Sequence, residues 1–329
     1  MGWGVVTLTW ARAVCSHPAL SGVSRAHFGE LLAELASAWE AARQSTLREA
    51  RGGERRRAEG AGRKPRLVFL DRLLVTPVHL RHQLPHVLVA ELFEVDRSTV
   101  SVAIRQVRPL LAARGFAVPD RPGLRLRMLE DLVTYAEAED VELRLEGAET
   151  QVRRPQADRP GRRAFVSGKR KRNTVKTTTF SDGQGRLLLS GLVCPGRMHD
   201  QTAVRTEGIA EQFRIRPGVK AKVDSAYLGL AKEFPGQVSA PKKPKNEACD
   251  GDKHVWRETR RRQSSARICV EHTNAELRQW APLRRFTGRR DTYAETHLAI
   301  ASLVSERSAQ WATRRRTSTE LVLVRDTVR

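Results

Sequence analysis

Thr174-Val-Lys-Thr-Thr-Thr-Phe-Ser-Asp-Gly-Gln-Gly-Arg-Leu-Leu-Leu-Ser-Gly-Leu-Val193 decides the fold class. The β-branched run Thr174–Phe180 reads as a strand, Ser181–Gly185 as a tight turn, and Arg186–Val193 as the returning strand. Upstream, Val141-Glu-Leu-Arg-Leu145 alternates with period two and supplies another strand, ending at Glu146. Gly183 and Gly185 could be taken for a phosphate-cradling loop, but no helix opens after them, so a hairpin tip is the reading. Downstream the pattern predicts a helix over Asp200–Phe213, a strand over Val219–Asp224 and a helix over Leu228–Phe234. A short strand at Gln237–Ala240 and a polar loop at Lys242–Asp252 follow, then long helices over Ser264–Gln279 and Thr292–Arg314. Hairpin-joined strands followed by strand–helix alternation predict an α/β domain with a mixed sheet and flanking helices. Leu124–Glu139 reads as a helix leading into it.

The half of the chain before that domain reads as all-α. Phe28, Leu31, Leu32, Leu35 and Trp39 recur at helical spacing. Ala41–Arg66 has nine basic and three acidic residues and little to bury, so it reads as a solvated connector or a DNA-tracking arm. Leu67–Leu84 has helical periodicity interrupted by Pro77. An interior proline costs about 3 kcal/mol, so a kink or break is expected there. His86–Val107 reads as a helix-turn-helix: Ala90 is small where the helices approach, Val95 fills the turn, and Val100 and Ile104 form the inner face. Asp96 or Ser98 can cap the second helix. Arg97, Ser98, Thr99, Ser101 and Arg105 are left outward near its start, where a recognition helix meets base edges and phosphates. Glu94 stands at the turn position usually held by glycine, at a cost of about 1 kcal/mol in left-handed backbone. His79, His82 and His86 read as solvated or DNA-facing rather than metal-binding. Pro119–Gly123 breaks the chain. The expected organisation is an N-terminal helix and basic linker (1–66), a helix-turn-helix domain (67–118), an α/β domain (124–311) and a basic tail (312–329).

Charge narrows the function. The 329 residues include 59 Lys plus Arg against 37 Asp plus Glu, a net charge of +22. That balance points to a polyanionic partner and away from a generic metabolic enzyme. The densest basic block, Gln151–Phe180, contains Arg153, Arg154, Arg162, Arg163, Lys169, Arg170, Lys171 and Arg172, and reads as a positive hairpin that draws in nucleic acid. Arg314–Arg316 reads as a solvated tail or a weak phosphate contact. Four widely spaced cysteines predict reduced thiols rather than a disulfide framework or zinc knuckle. The apolar stretch Gly2–Trp10 is too short to span a bilayer and no basic residue precedes it. A cytoplasmic, nucleoid-associated protein is expected, with no membrane and no small-molecule cofactor.

Chemistry on a phosphodiester is economically done by two divalent ions held by a few carboxylates. Glu146 closes the first predicted strand, Asp224 closes the strand in Val223-Asp-Ser-Ala-Tyr227, and Glu271 lies on a helix within Arg267-Ile-Cys-Val-Glu-His272. Singly, each has an ordinary reading as a turn acid or a helical ion pair, such as Glu271 with Arg267. His199-Asp200 is a further candidate, with Asp200 either assisting a metal or capping a helix.

With Glu146-Gly-Ala-Glu149, Phe165–Thr174, Pro195-Gly-Arg-Met-His-Asp200, Val223–Tyr227 and Arg267–His272 in that order, the chain resembles insertion-sequence transposases of the DDE superfamily. The likeness is to the Harbinger-like endonuclease domain preceded by a helix-turn-helix. The resemblance implies a ribonuclease-H-like fold and metal-dependent cleavage and strand transfer at terminal inverted repeats. By position the three metal-binding acids fall on Glu146, Asp224 and Glu271, with two Mg²⁺ or Mn²⁺ ions. It also implies double-stranded DNA, element ends and target, as partner and a homo-oligomer assembled on it. Here Glu146 replaces the family's aspartate and Ala148 its threonine. A second reading follows from that departure: a degenerate copy that binds specific DNA without cutting it.

Overall fold

Helices fill the first half of the chain and a sheet organises the second in the computed structural model, which describes residues 7–54, 64–156, 161–241 and 249–326. One unit comprises Met1–Ala113 with Trp280–Pro282 and Glu295–Ile300; the other comprises Arg114–Gln279, Leu283–Ala294 and Ala301–Arg329.

The first unit contains α1 (Leu8–Cys15), α2 (Pro18–Ser21), α3 (Arg25–Arg51), α4 (Phe69–His82), α5 (His86–Leu92) and α6 (Arg97–Ala113). α3 runs past the expected stop at Trp39 and takes in the start of the predicted linker. Local pairing supports that extension: Glu40 bonds Arg43 and Gln44, and the helix closes at Gly52 in left-handed backbone. Residues 55–63 of that linker lie outside the described residues. α4 runs through Pro77 without the break that was one of the two expected outcomes. Every residue from Asp71 to Val78 is buried, and this packing outweighs the proline penalty. Arg12 secures the start of α4 with two bonds to Asp71, at 2.6 and 3.0 Å, while the Asp71 carboxylate also accepts from the Val68 amide at 3.2 Å.

The second unit opens with a hairpin of β1 (Phe116–Ala117) and β2 (Arg125–Leu126), so Pro119–Gly123 is a hairpin tip. It continues through α7 (Leu129–Ala138), β3 (Leu143–Val152), β4 (Thr174–Ser181), β5 (Leu187–Ser190), β6 (Cys194–Pro195), α8 (Asp200–Thr206) and α9 (Ile209–Ile215). Then come β7 (Ala221–Lys222), α10 (Leu228–Glu233), β8 (Val238–Ser239), α11 (Asp250–Leu277), α12 (Ala281–Arg284), β9 (Arg285–Phe286) and α13 (Tyr293–Asp326), with the start of α12 and Glu295–Ile300 of α13 belonging to the first unit. The strand order is β5-β4-β3-β7-β8, with β6 on β4 and β9 on β3. β4 is antiparallel to β3, β5 and β6, whereas β7 and β9 run parallel to β3, and β8 parallel to β7. This is the mixed, helix-flanked sheet the sequence predicts.

Three expectations are corrected. β3 continues beyond Glu146 to Val152, so Glu146 is a mid-strand residue; its ladder with β4 is unbroken from Arg144 to Gln151. Asp200–Phe213 forms two helices because Gly208, at φ +75°, ends one and starts the next. α11 begins at Asp250, well before Ser264. Of the predicted loop Lys242–Asp252, residues 242–248 lie outside the described residues. α13 extends to Asp326, and the side chains of Arg314–Arg316 lie outside those described.

β4 explains the sheet's polar core. All eight of its residues are buried, and three of its hydroxyls find side-chain partners: Thr174 donates to Glu149 at 3.1 Å, Thr178 to Glu207 at 2.8 Å and Thr179 to Asn274 at 2.8 Å, whereas the Ser181 hydroxyl has none among the described residues. At the β4–β5 tip, Asp182 accepts from the Gln184 and Arg186 amides. Gly185 has φ +81°, and a Cβ there would stand 2.9 Å from the Cys269 carbonyl oxygen on α11. The glycines therefore serve a packed turn. Among the described residues no helix is long and apolar enough to cross a membrane.

Candidate active site and DNA interface

Glu146 sits in β3 directly opposite Thr179 of β4. Directly paired residues on antiparallel strands share a face, and Thr179 bonds Asn274, one turn along α11 from Glu271. That bond ties the helix carrying Glu271 to the strand beside Glu146. Glu146 is mostly buried, and its Oε2 has no hydrogen-bond partner. Burial pushes its carboxyl above the ordinary carboxylate range; Arg267 opposes this, while Glu271 and Asp224 add to it. Glu146 therefore lies within the electrostatic reach of both other predicted acids. Asp224 follows β7 in extended backbone and caps a short 3₁₀ turn, its Oδ1 accepting from the Ala226 amide at 2.8 Å. Glu271 is exposed on α11 and has no salt bridge with Arg267.

A buried, unpartnered carboxylate oxygen within the fields of two further acids, Glu271 and Asp224, fits a divalent cation in the kind of donor offered. The spacing is more open. Among the described residues no group of three or more His, Cys, Asp or Glu is close enough to hold a metal ion. Closing the set requires movement of these side chains.

Asp200 belongs to the other face of β3. A Cβ at Gly147, the residue after Glu146, would stand 3.2 Å from Asp200 Oδ1 and 3.2 Å from the Tyr227 hydroxyl. Successive residues of a strand face opposite ways, so these groups oppose Glu146. Lys176 Nζ donates to Asp200 Oδ1 at 2.6 Å and to the Met198 carbonyl at 2.8 Å. His199 caps α8 by accepting from the Gln201 amide, leaving Asp200 in the first turn rather than at the cap. On this second face burial holds the Tyr227 hydroxyl well above its usual range, with Asp200, Asp224, Glu207 and Glu146 adding to the shift. Burial also pushes the Glu207 carboxyl up to about 7. None of Tyr227, Glu207 or Asn274 was singled out from sequence, because each acts through a partner distant in the chain, and Lys176, read only as part of the basic block at Gln151–Phe180, is instead turned to Asp200. Arg267 and Arg278 both act electrostatically on Glu146; the sequence shows Arg267 as a neighbour of Glu271 but does not single out Arg278.

The basic block after β3 is a 3₁₀ turn, Arg162–Phe165, followed by a narrow hairpin pinned by the Val166–Asn173 bridge. The Ser167 amide donates to the Arg172 carbonyl at 2.9 Å, which presents Lys169, Arg170, Lys171 and Arg172 to solvent. Arg153, Arg154 and Arg163 are also exposed, and Arg162 is half-buried. At the base of this arm a pocket of about 430 Å³ is lined by Arg153, Arg154, Lys171, Arg172 and, from β9, Arg285.

In the helical unit, Glu94 has φ +50°, so the turn between α5 and α6 is left-handed as its position implied. The Val95 amide closes the turn on the Ala90 carbonyl at 3.0 Å, and Arg66 donates to the Glu94 carbonyl at 3.2 Å. Val100 and Ile104 are buried, while Arg97, Ser98 and Arg105 are exposed and Thr99 half-buried. Ser101 departs from expectation. Its hydroxyl donates to the Arg97 carbonyl at 3.0 Å and lies 2.7 Å from His86 Nδ1, so it serves the helix pair. The histidines are also not solvated as a group. The His79 and His86 rings meet edge to face at 4.6 Å, and burial lowers His79 to about 4.

Two segments of the chain match known families. Residues 145–305 match the DDE superfamily endonuclease, and residues 65–117 match the helix-turn-helix of DDE superfamily endonuclease. Among curated proteins and solved structures, none matches the chain.

Proposed function

By these two segments the chain belongs to the DDE superfamily of transposase-type, DNA-binding endonucleases, and we propose that it binds the terminal inverted repeats of an insertion sequence, cuts there, and joins the freed ends to target DNA. The observation that carries this reading is the buried, unpartnered Glu146 oxygen within the fields of Asp224 and Glu271. Glu146, Asp224 and Glu271 are the residues that would hold divalent metal. When bound, such ions supply activation of the attacking oxygen and neutralise charge on the phosphate. Two Mg²⁺ or Mn²⁺ ions fit the chemistry.

The chain's own residues then have distinct tasks. Glu146 offers a carboxylate with one oxygen uncommitted. Asn274, held by Thr179, fixes the turn of α11 that presents Glu271. Water attacks the phosphodiester at the element end, the P–O3′ bond breaks, and the 3′-oxygen leaves as a hydroxyl. In joining, that 3′-hydroxyl attacks a target phosphodiester, loses its proton, and displaces the target's own 3′-oxygen. Arg97, Ser98, Thr99 and Arg105 contact the end sequence, and the arm at 153–172 holds the backbone. Two or more copies act together on paired ends, and the protein resides with the nucleoid.

Labelled duplexes carrying the inverted repeats that flank the gene, incubated with Mg²⁺ or Mn²⁺, test the proposal. Strand cleavage that disappears in Asp224→Ala and Glu271→Ala is expected. Cleavage unchanged in either variant counts against it.

The open spacing of the acids favours one competing reading: a specific DNA binder without chemistry, in which Glu146 is one methylene too long. This reading predicts end binding without cleavage, and no gain when Glu146→Asp and Ala148→Thr are combined. Cleavage appearing in that double variant discards it.

A further inference from the structure

The face of α11 that carries Glu271 is basic along most of its length. At about 100° per residue, Lys253, Arg257, Arg260 and Arg267 all project within roughly 40° of Glu271, at spacings that alternate three, four and seven residues. The one acid between Lys253 and Arg267 is Glu258, which lies well off that stripe and is met there by His254 at 3.7 Å and Arg262 at 3.8 Å. Arg257 and Arg260 are exposed and form no salt bridge with a described residue. Arg260 is braced by the Trp256 ring, 5.3 Å from its centroid.

No ion pair with a described residue offsets the crowding of Arg257 and Arg260. Like charges three and four residues apart repel on a helix, and cations in its opening turns oppose the macrodipole. Both costs vanish when a polyanion lies along the face.

We propose that Lys253, Arg257 and Arg260 form a phosphate track that receives the backbone of double-stranded DNA and leads it toward Glu271. This rests on the reading that the carboxylate site acts on DNA and names a surface through which that substrate is held. From Lys253 to Glu271 the helix rises about 27 Å, the length of roughly eight base pairs at 3.4 Å each. Charge selects a phosphate backbone over a protein partner: the stripe's exposed tips are guanidinium groups, which match phosphate oxygens two at a time.

The test is duplex binding by the full chain without divalent metal, so that binding is read apart from cleavage. A duplex of about 30 base pairs is titrated across a salt series. Each phosphate contact contributes about 0.9 to the slope of log K against log salt. The variant K253Q/R257Q/R260Q is expected to lower that slope by between about 2 and 3. R257Q alone should lower it by about 0.9, which keeps the test valid if the triple variant folds poorly. R257K/R260K, which keeps the charge, should retain the slope, and R262Q, on the Glu258 face, should leave it unchanged. Wild-type binding with an unaltered slope in R257Q and the triple variant overturns the track alone, as does an equal fall in R262Q. A wild-type protein that binds no duplex overturns the transposase reading itself.

Discussion

α6 and α11 both carry candidate contacts to DNA, but they are fixed in place by different means. α6 is oriented from close by: a left-handed residue at Glu94, the Val95–Ala90 bond and the Arg66 guanidinium set its start within a few tens of residues. α11 is oriented from far away. The bond between Thr179 and Asn274 spans 95 residues, and the Gly185 turn packs against Cys269. A recognition helix can therefore be legible in a short stretch of sequence, whereas an acid set split over two strands and a helix exists only after the sheet has formed.

The sharpest way to break this comparison is to remove one charged side chain from each region, an acid from α11 and an arginine from α6. Glu271→Ala should lower cleavage by roughly 100- to 1000-fold while leaving the salt dependence of end binding intact. Arg105→Ala should weaken end binding and lower the salt slope by about 1, with cleavage at saturating DNA preserved. Single-turnover cleavage and equilibrium binding on the same duplex measure the two effects. Equal losses in both assays from either variant would erase the distinction.

The second largest effect is on stability and lies under the sheet. Glu207 has an ordinary carboxyl value of 4.5, raised to about 7 in the fold by burial. Because the folded value lies above the unfolded one, the protonated fold is favoured: the contribution is full below pH 4.5 and is lost as pH rises through 7. Glu207→Gln retains the neutral form, so it should match the wild type near pH 4 and exceed it by about 3 kcal/mol at pH 8. Denaturant unfolding across that range reads it. A constant difference at all pH values would show that the carboxyl does not titrate on folding. His79 on α4, lowered from 6.5 to about 4 by burial, has the opposite trend: its contribution is full above pH 6.5 and is lost as pH falls toward 4, in the wild type and in Glu207→Gln alike.

Thr179→Val sharpens the comparison from the long-range side. It leaves Asn274 Oδ1 buried and unpaired, a loss of about 1–3 kcal/mol. If the bond positions Glu271, the cleavage rate should fall with the affinity for DNA unchanged, and Thr179→Ser should restore it. A stability loss with full cleavage would reduce the bond to a role in the fold.

What could be read from sequence follows the same division. The strands at Val141 and Thr174–Val193, the turn at Ser181–Gly185 and the α5–α6 pair announce themselves through period and turn chemistry confined to short windows. The extent of β3 past Glu146 was hidden because Gly147 and Ala148 break the hydrophobic alternation; the absence of a side chain at Gly147 makes room for Asp200 and Tyr227 instead. The start of α11 was hidden because its first turns bury little and carry arginines, so period gave no signal. Pro77 does not break α4, because burial over Asp71–Val78 offsets a local penalty. The acids Glu146, Asp224 and Glu271 were visible as isolated charges. Asp200's partner, Lys176, and its placement against Gly147 follow only from the register of the sheet.

The smallest effect separates two serines on α6 that sequence alone treats alike. Ser98 is exposed, while Ser101 is committed to Arg97 and His86. Ser98→Ala should lower affinity for the correct end sequence by a few-fold, on the order of one neutral hydrogen bond at 0.5–1.5 kcal/mol, with little change on unrelated duplex. Ser101→Ala should instead lower the melting temperature and leave sequence preference unaltered, because its hydroxyl holds α5 against α6 rather than facing DNA. Competition binding against an unrelated duplex and a thermal melt decide between them. If Ser101→Ala alters sequence preference without a change in melting, the His86 contact is dispensable and the hydroxyl turns outward in the complex. The recognition surface would then include Ser101 after all.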